Sequence, residues 1–150
     1  MESSEPARVL VVANRTAATP TLIEAVRERA QRGPCTFTLL VPHFAHGLHK
    51  VVDAQDQDRD ESHAVLELAI PLLEEAAGGR VEGLIGGDDP FAAVAAALEA
   101  GAYDEIIVST LPARVSHWLH IDLPARVRRL RLPVTVVTAK KADRPLAQAG

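Results

Sequence analysis

The sequence predicts a single α/β domain whose doubly wound, parallel sheet has five strands and carries helices on both faces. Its 150 residues suit one domain and are too few for two independent cores. Hydrophobic residues make up 47% of the chain and aromatic residues only 3%, which predicts an aliphatic core. Short apolar runs alternate with helical patterns, and this alternation favours parallel strands joined by crossover helices. We expect the core of the domain to cover residues 8–138, with flexible ends at 1–7 and 140–150.

Five short runs rich in aliphatic residues predict the strands. They lack polar alternation, as expected for strands buried on both faces of a parallel sheet. The predicted strands cover residues 9–12, 36–41, 81–85, 105–108 and 134–138.

Four amphipathic stretches between these runs predict the helices, and each begins at a capping signal. These signals are Thr19 with Pro20, Asp60 or Ser62, Asp89 with Pro90, and Asp122. Pro71 lies inside the second stretch, so we expect a kink there or two short helices. The polar stretch 43–60 before it is predicted to be a long loop.

Charge is divided unevenly along the chain. Residues 1–110 carry eight basic and 18 acidic side chains, net −10, whereas residues 111–150 carry eight basic and two acidic ones, net +6. The basic part contains Arg114, Arg126, Arg128, Arg129 and Arg131. Such a cluster can attract phosphate or a nucleic acid, but on one predicted helix it also fits a solvated face opposite an acidic partner. We favour the solvated face and expect no nucleic-acid partner, because aromatic stacking residues are scarce.

The sequence predicts a cytoplasmic protein with no membrane partner. The longest apolar stretch near its start, residues 9–13, is far shorter than a signal segment or a membrane span. Cys35 is the single cysteine and forms no internal disulfide, which favours a reducing compartment.

Four segments of the chain resemble the universal stress protein family. They are the β-branched first strand with a polar residue beyond it, the stretch 86–90, the run YDEIIV at 103–108 and the run LPVTVV at 132–137. The resemblance implies the strand order 3-2-1-4-5 and a homodimer formed by antiparallel pairing of the fifth strands. A fifth strand at the sheet edge has unpaired backbone groups, which gives this dimer a physical reason.

The family's nucleotide-binding members carry a glycine-rich loop after the fourth strand, of the form G-x-x-G and then G-S or G-T. Here Ser109 and Pro112 stand at the two loop glycines, and Asp122 lies at or next to the hydroxyl position. Proline removes an amide donor, and a carboxylate at a helix N-terminus repels phosphate. We therefore expect no cofactor and an impaired or lost ATP site. Asn14 stands where many ATP-binding relatives have Asp, and its amide suits a base or ribose.

Ligands of doubly wound sheets bind where the winding direction reverses, here between strands one and four. The candidate ligand-binding residues around this crevice are Ala13, Asn14, Arg15, Val41, Gly87, Ser109, Thr110, Arg114, Ser116, His117 and Asp122. Their side chains can hold a small anion in place of backbone amides. Alternatively, Trp118 and Leu119 plug the crevice and the arginines solvate its rim.

Metal and catalytic patterns are weak. His43, His46 and His49 are spaced at i, i+3 and i+6. Two histidines one helical turn apart can bind the same metal ion, but the third would point away from that side of the turn. We expect adventitious metal binding there rather than a physiological site. Ser116 and His117 are adjacent, so their side chains diverge, and no nucleophile-elbow motif occurs. We assign no catalytic residue.

Three functions fit these observations. The first is a non-catalytic, homodimeric regulatory or stress-response protein that resembles universal stress proteins and has impaired ATP binding. The alternative is a protein that binds an adenine nucleotide or small anion in the crevice between strands one and four. The third is a hydrolase or transferase acting in that crevice.

Overall fold

A computed structural model describes residues 6–42, 54–87, 89–111 and 117–140 of the chain. In these ranges the strands are β1 (Ala7–Val12), β2 (Cys35–Val41), β3 (Val81–Ile85), β4 (Glu105–Thr110) and β5 (Val134–Thr138). The helices are α1 (Pro20–Gln31), α2 (Ala54–Ala77), α3 (Pro90–Ala100), α4 (His117–His120) and α5 (Leu123–Arg128). Within the ranges described, no helix has both the length and the apolar composition needed to cross a membrane.

The five strands form one parallel sheet in the order β3-β2-β1-β4-β5, which confirms the predicted class and strand order. Val9 is the register partner of Phe37 in β2 and of Glu105 in β4, so β1 is central. Because all strands run the same way, the sheet has an amino end, where the strands begin, and a carboxyl end, where they finish. The winding reverses between β1 and β4, and any ligand crevice lies at the carboxyl end there.

Apolar packing covers both faces of the sheet, as predicted. Val9 and Val11 of β1 pack on one face with residues of α1 and α2. Leu10 and Val12 pack on the other face with residues of α3 and α5. Successive β-strand side chains point to opposite faces, so an unbroken aliphatic run supplies both cores at once.

The second helix is longer than predicted and is continuous. Helix α2 begins at Ala54 rather than near Asp60, so the predicted loop 43–60 is wrong for its last seven residues. Acidic residues near a helix start are favourable to the helix dipole, so the acidic composition of this stretch is compatible with a helix. Pro71 lies inside the helix and is exposed, so the alternative of two short helices is wrong. A proline on the solvent side removes one backbone hydrogen bond without disturbing the buried residues Ala69 and Leu73.

Only one of the predicted side-chain caps at α1, α3 and α5 forms. Asp89 Oδ1 accepts the amides of Phe91 at 3.0 Å and Ala92 at 3.4 Å, which confirms the cap of α3. Thr19 occupies the N-cap position of α1, but its hydroxyl donates to the carbonyl of Thr16 at 2.8 Å. A hydroxyl turned back into the preceding loop does not reach the helix amides, so this predicted cap is wrong.

The end of β4 also differs from the prediction. The strand continues to Thr110, because Ser109 and Thr110 pair in register with Val137 and Thr138 of β5. The short helix α4 follows in the region predicted to be a loop, so the described residues contain five helices rather than four.

Candidate functional site

The candidate site lies at the carboxyl end of the sheet, between the segments that follow β1 and β4. The first segment, residues 13–19, is described throughout, and the second is described at Leu111 and from His117 onwards. Two candidate residues, Arg114 and Ser116, and the histidines His43, His46 and His49 lie outside the described residues.

Asn14 provides an unused hydrogen-bond acceptor in this site. Its Nδ2 atom donates to the carbonyl of Pro42 at 2.6 Å, and this bond fixes which end of the amide is the oxygen. The Oδ1 atom is buried and has no hydrogen-bond partner among the described residues. A buried acceptor without a partner costs free energy, so an N–H or O–H donor that reached this atom would be bound favourably.

Ser109 is bound within the protein. Its hydroxyl lies 2.6 Å from the hydroxyl of Thr16, and the two residues are only 1% and 2% exposed. This bond joins the loop after β1 to the end of strand β4, across the point where the winding reverses. Thr110 is 2% exposed, and its hydroxyl faces that of Thr138 at a long 3.4 Å.

The other candidates from the first three strands differ in accessibility. Ala13 and Val41 are fully buried and form part of the core below the crevice. Arg15 is exposed. Gly87 is exposed and borders a groove between β3 and α3 rather than the space between β1 and β4.

Asp122 connects α4 to α5 in a left-handed conformation, with φ 58° and ψ 39°. Its amide donates to the carbonyl of Leu119, and its own carbonyl accepts the amide of Arg126. The side chain is exposed and does not cap α5, so the predicted cap is wrong. An N-cap residue normally has an extended backbone, which directs its side-chain oxygen at the helix amides. Asp122 has a left-handed backbone instead.

The residues around this turn lie mainly on the α3 and α5 side of the sheet. Trp118 and Ile121 are half-buried and pack on the core beneath those helices. His117 is the first residue of α4. Of the basic cluster, Arg126 stacks on the ring of Phe91 at 4.6 Å. Arg128, Arg129 and Arg131 follow Arg126 along the chain, further from the turn at Asp122, and are exposed.

The chemistry of these residues fits the base or sugar of a nucleotide better than its phosphates. The last residues of β4 are paired in the sheet where a phosphate loop would need open amides. Asp122 adds a negative charge, and two unit charges about 4 Å apart repel by roughly 4 kcal/mol at an effective dielectric near 20. Among the described residues, no group of three histidine, cysteine, aspartate or glutamate side chains is placed to hold a metal ion.

The shifted pKa values belong to the amino end of the sheet. Hydrogen bonding to Glu105 raises the pKa of Arg29, and burial raises the pKa of the Cys35 thiol against the opposing charge of Arg29. Neither group faces the crevice, which is consistent with structural roles for both.

Sequence reasoning missed Thr16 and the carbonyl of Pro42, which are internal partners of the candidate residues Ser109 and Asn14. Thr16 bonds to a residue 93 positions away, and no sequence spacing reports such a pair. A hydroxyl two residues beyond Asn14 in the loop after β1 was the available signal.

No protein-family model matches the sequence, and no curated protein matches it. Solved structures do match its fold. The universal stress protein UspA from Lactobacillus plantarum aligns over 92% of this chain and 100% of its own, with 16% identity and a TM-score of 0.63. A universal stress protein from Arabidopsis thaliana with AMP bound aligns over 91% and 94%, with 16% identity and a TM-score of 0.61.

A universal stress protein in complex with cAMP aligns over 91% of this chain and 98% of its own, with 15% identity and a TM-score of 0.56. Identities of this size establish the architecture and not the ligand. The chain therefore has the fold of the universal stress proteins.

Proposed function

We propose that the protein is a non-catalytic regulatory domain of the universal stress protein type, working as a cytoplasmic homodimer that binds ATP weakly or not at all. The observation that carries this proposal is the packed end of β4. Ser109 and Thr110 are buried and paired with β5, and Ser109 is bound to Thr16. Backbone amides already bound within a sheet cannot also bind phosphate.

The same observation supports the absence of catalysis. A serine nucleophile needs a base within hydrogen-bond reach, and the hydroxyl of Ser109 is bound to a threonine instead. At 1% exposure this hydroxyl is also shielded from any substrate.

Calorimetry with Mg-ATP tests the proposal. We expect a dissociation constant weaker than about 0.1 mM, and adenosine binding at least as well as ATP because the phosphates gain no favourable contacts. Asp122→Asn removes the charge and keeps a residue that tolerates the left-handed backbone, so it should improve ATP binding more than adenosine binding. A sub-micromolar dissociation constant for ATP contradicts the proposal.

A second candidate function is binding of a small ligand through the crevice, with Asn14 as the recognition residue. The buried, unpartnered Oδ1 atom of Asn14 favours it, because a donor such as an exocyclic amine satisfies this acceptor. In this reading Arg15, Arg114 and His117 supply positive charge for a small anion, and Ser116 a hydroxyl.

Adenosine and inosine distinguish this candidate from adventitious binding. Adenosine has an exocyclic amine where inosine has a carbonyl, so a site that uses the acceptor of Asn14 binds adenosine about tenfold or more tightly. Asn14→Leu should abolish this preference, whereas Asn14→Gln serves as the control that keeps the amide. Equal affinity for both nucleosides excludes Asn14 as the reader of the base.

The dimer in this proposal forms through β5. This strand is a sheet edge, and Val134, Val136 and Val137 are only half-buried in the single chain. Pro133 accepts from Ile106, and Ala139 donates to Thr110, so the odd-numbered backbone groups of β5 face β4. By alternation, the backbone groups of Val134, Val136 and Thr138 face outwards and suit antiparallel pairing with a second copy.

Two proline substitutions test the interface. Val136→Pro removes an outward amide and should convert the dimer to a monomer with little loss of stability. Val137→Pro removes an amide that faces β4 and should lower the midpoint of urea unfolding. Light scattering and urea titration measure both effects. A monomeric unmodified chain, or an intact Val136→Pro dimer, contradicts the β5 interface.

A further inference from the structure

The sheet face of β3 opposite α2 is not covered by a helix in the described structure. On the covered face, α2 packs so closely that a Cβ atom at Gly83 would lie 2.9 Å from Ile70 Cδ1. Leu84 projects from the other face, because side chains alternate along the strand. It is 38% exposed and is the one exposed large hydrophobic residue among those described.

A groove runs between this face and α3. Its volume is about 500 Å³, within the range of ordinary ligand pockets. Leu40 and Leu84 contribute apolar side chains from the strands, and Ala92 and Ala96 line the side formed by α3. At one end of the groove, Gly86 and Ala93 are in close contact. A Cβ atom at Gly86 would lie 2.5 Å from the Cβ of Ala93, so the glycine permits this close approach and the groove is narrow there.

Acidic side chains border this apolar groove. Asp89 lines it, and Glu82 precedes Leu84 by two residues and so lies on the same face of β3. Glu99 is three positions after Ala96, which places it on the same side of α3. All three are exposed, and within the described ranges none forms an ion pair. The groove therefore has an apolar floor and three acidic side chains at its rim, with the exposed Arg80 placed two residues before Glu82 on the same face of β3.

We propose that this groove, here called the β3–α3 groove, docks an amphipathic helix of a partner protein that carries lysine or arginine beside its apolar face. Leucine-sized side chains of the partner helix fill the space over Leu84, and its basic residues pair with Glu82, Asp89 and Glu99. Such a helix packs beside α3, over the face of β3 that no described helix covers. Alanine at positions 92 and 96 lets the two helices approach closely.

A pair of synthetic helical peptides of about 18 residues tests the proposal. One has leucine on one face and lysine elsewhere, and the other has glutamate in place of each lysine. Fluorescence anisotropy should detect the lysine peptide and show at least tenfold weaker binding of the glutamate peptide. In NMR titrations, the amide shifts should concentrate at Leu84, Ala92 and Ala96.

Matched variants separate this groove from general attraction to an acidic protein. Asp89→Asn preserves the cap of α3, and together with Glu82→Gln and Glu99→Gln it should weaken the lysine peptide about tenfold. The control combines Glu28→Gln, Glu67→Gln and Glu75→Gln, three exposed acids of α1 and α2, and should change affinity less than twofold. Ala96→Arg should block the groove, whereas Ala64→Arg on the exposed side of α2 should not.

Three outcomes overturn the proposal. They are equal loss of affinity in the two triple variants, equal binding of the two peptides, and a change of oligomeric state in Ala96→Arg. The last result identifies the groove as a contact between copies of this chain.

Discussion

Charged side chains at the amino end of the sheet are bound to partners inside the protein, whereas the carboxyl end combines a closed hydroxyl pair, Ser109 with Thr16, with two polar groups that are left open. At the amino end, Arg29 makes two hydrogen bonds to Glu105, at 2.9 Å and 2.8 Å. The amide of Arg8 donates to Asp104 Oδ2, and the amide of Asp104 donates to the carbonyl of Arg8. At the carboxyl end, Asn14 keeps an unpartnered oxygen and Asp122 an exposed carboxylate in a left-handed residue.

The two ends of the sheet therefore serve different purposes: the pairs at the amino end stabilise the fold, whereas the open groups at the carboxyl end can bind a ligand. A bidentate pair between α1 and β4 orients both groups and leaves little hydrogen-bonding potential for a ligand. An open buried acceptor costs stability and offers a ligand something to bind. The contrast supports the carboxyl end as the binding end of this sheet, and the following substitutions test it.

The largest effect is expected at the amino end. Arg29→Met should lower the free energy of unfolding by about 2–3 kcal/mol, because Glu105 then keeps a charge that is only partly exposed. Arg27, whose side chain is 42% exposed and 3.6 Å from Glu24, is the matched control. Arg27→Met should cost less than about 0.5 kcal/mol. Urea unfolding measures both variants, and similar losses would show that the two pairs are equivalent.

A smaller effect of opposite sign is expected at the carboxyl end. Asp122→Gly should raise the free energy of unfolding by up to about 1 kcal/mol, because glycine adopts a φ of 58° without strain. Arg129 has a φ of −69° in an ordinary helical conformation, so Arg129→Gly should be destabilising. A loss of stability in Asp122→Gly would mean that the carboxylate has an internal stabilising role.

The smallest effect concerns Cys35. Burial raises the pKa of its thiol, so the folded protein favours the protonated form. The resulting stabilisation is complete below the ordinary thiol pKa and is lost as the pH rises through the raised value. Alkylation by iodoacetamide at pH 8 should be slower than in urea-unfolded protein, by less than tenfold. Equal rates would show that the thiol is accessible, and Cys35→Ala should remove the alkaline loss of stability.

The sequence carried enough information for the architecture because the architecture depends on residue type along the chain. Each aliphatic run became a strand, and the runs 81–85 and 134–138 keep their predicted bounds. Asp89 with Pro90 began α3 as expected, because the cap bond is local and joins residues two and three positions apart. Local rules therefore sufficed for the strands and for this cap.

The site was less predictable because its state depends on distant partners. The sequence around Ser109 is the same whether this residue ends a strand or begins a loop. Its pairing with β5 decided that it belongs to the strand. Thr19 and Asp122 were predicted as caps from residue type alone, yet neither side chain reaches the helix amides. Backbone conformation at a cap is set by the surrounding loop, which a single sequence does not report.

The length of α2 has a consequence for local opening of the protein. Its 24 residues span about 36 Å, whereas the seven residues of β2 span about 23 Å, so the helix is longer than the strand by roughly two turns. Among the described side chains of α2, Ser62 is the first buried one, followed by Ala69 and Leu73, and Pro71 removes one bond from the ladder. Amide hydrogen exchange along α2 should therefore be graded: fastest over residues 54–60, slower past Ser62, and slowest around Leu73.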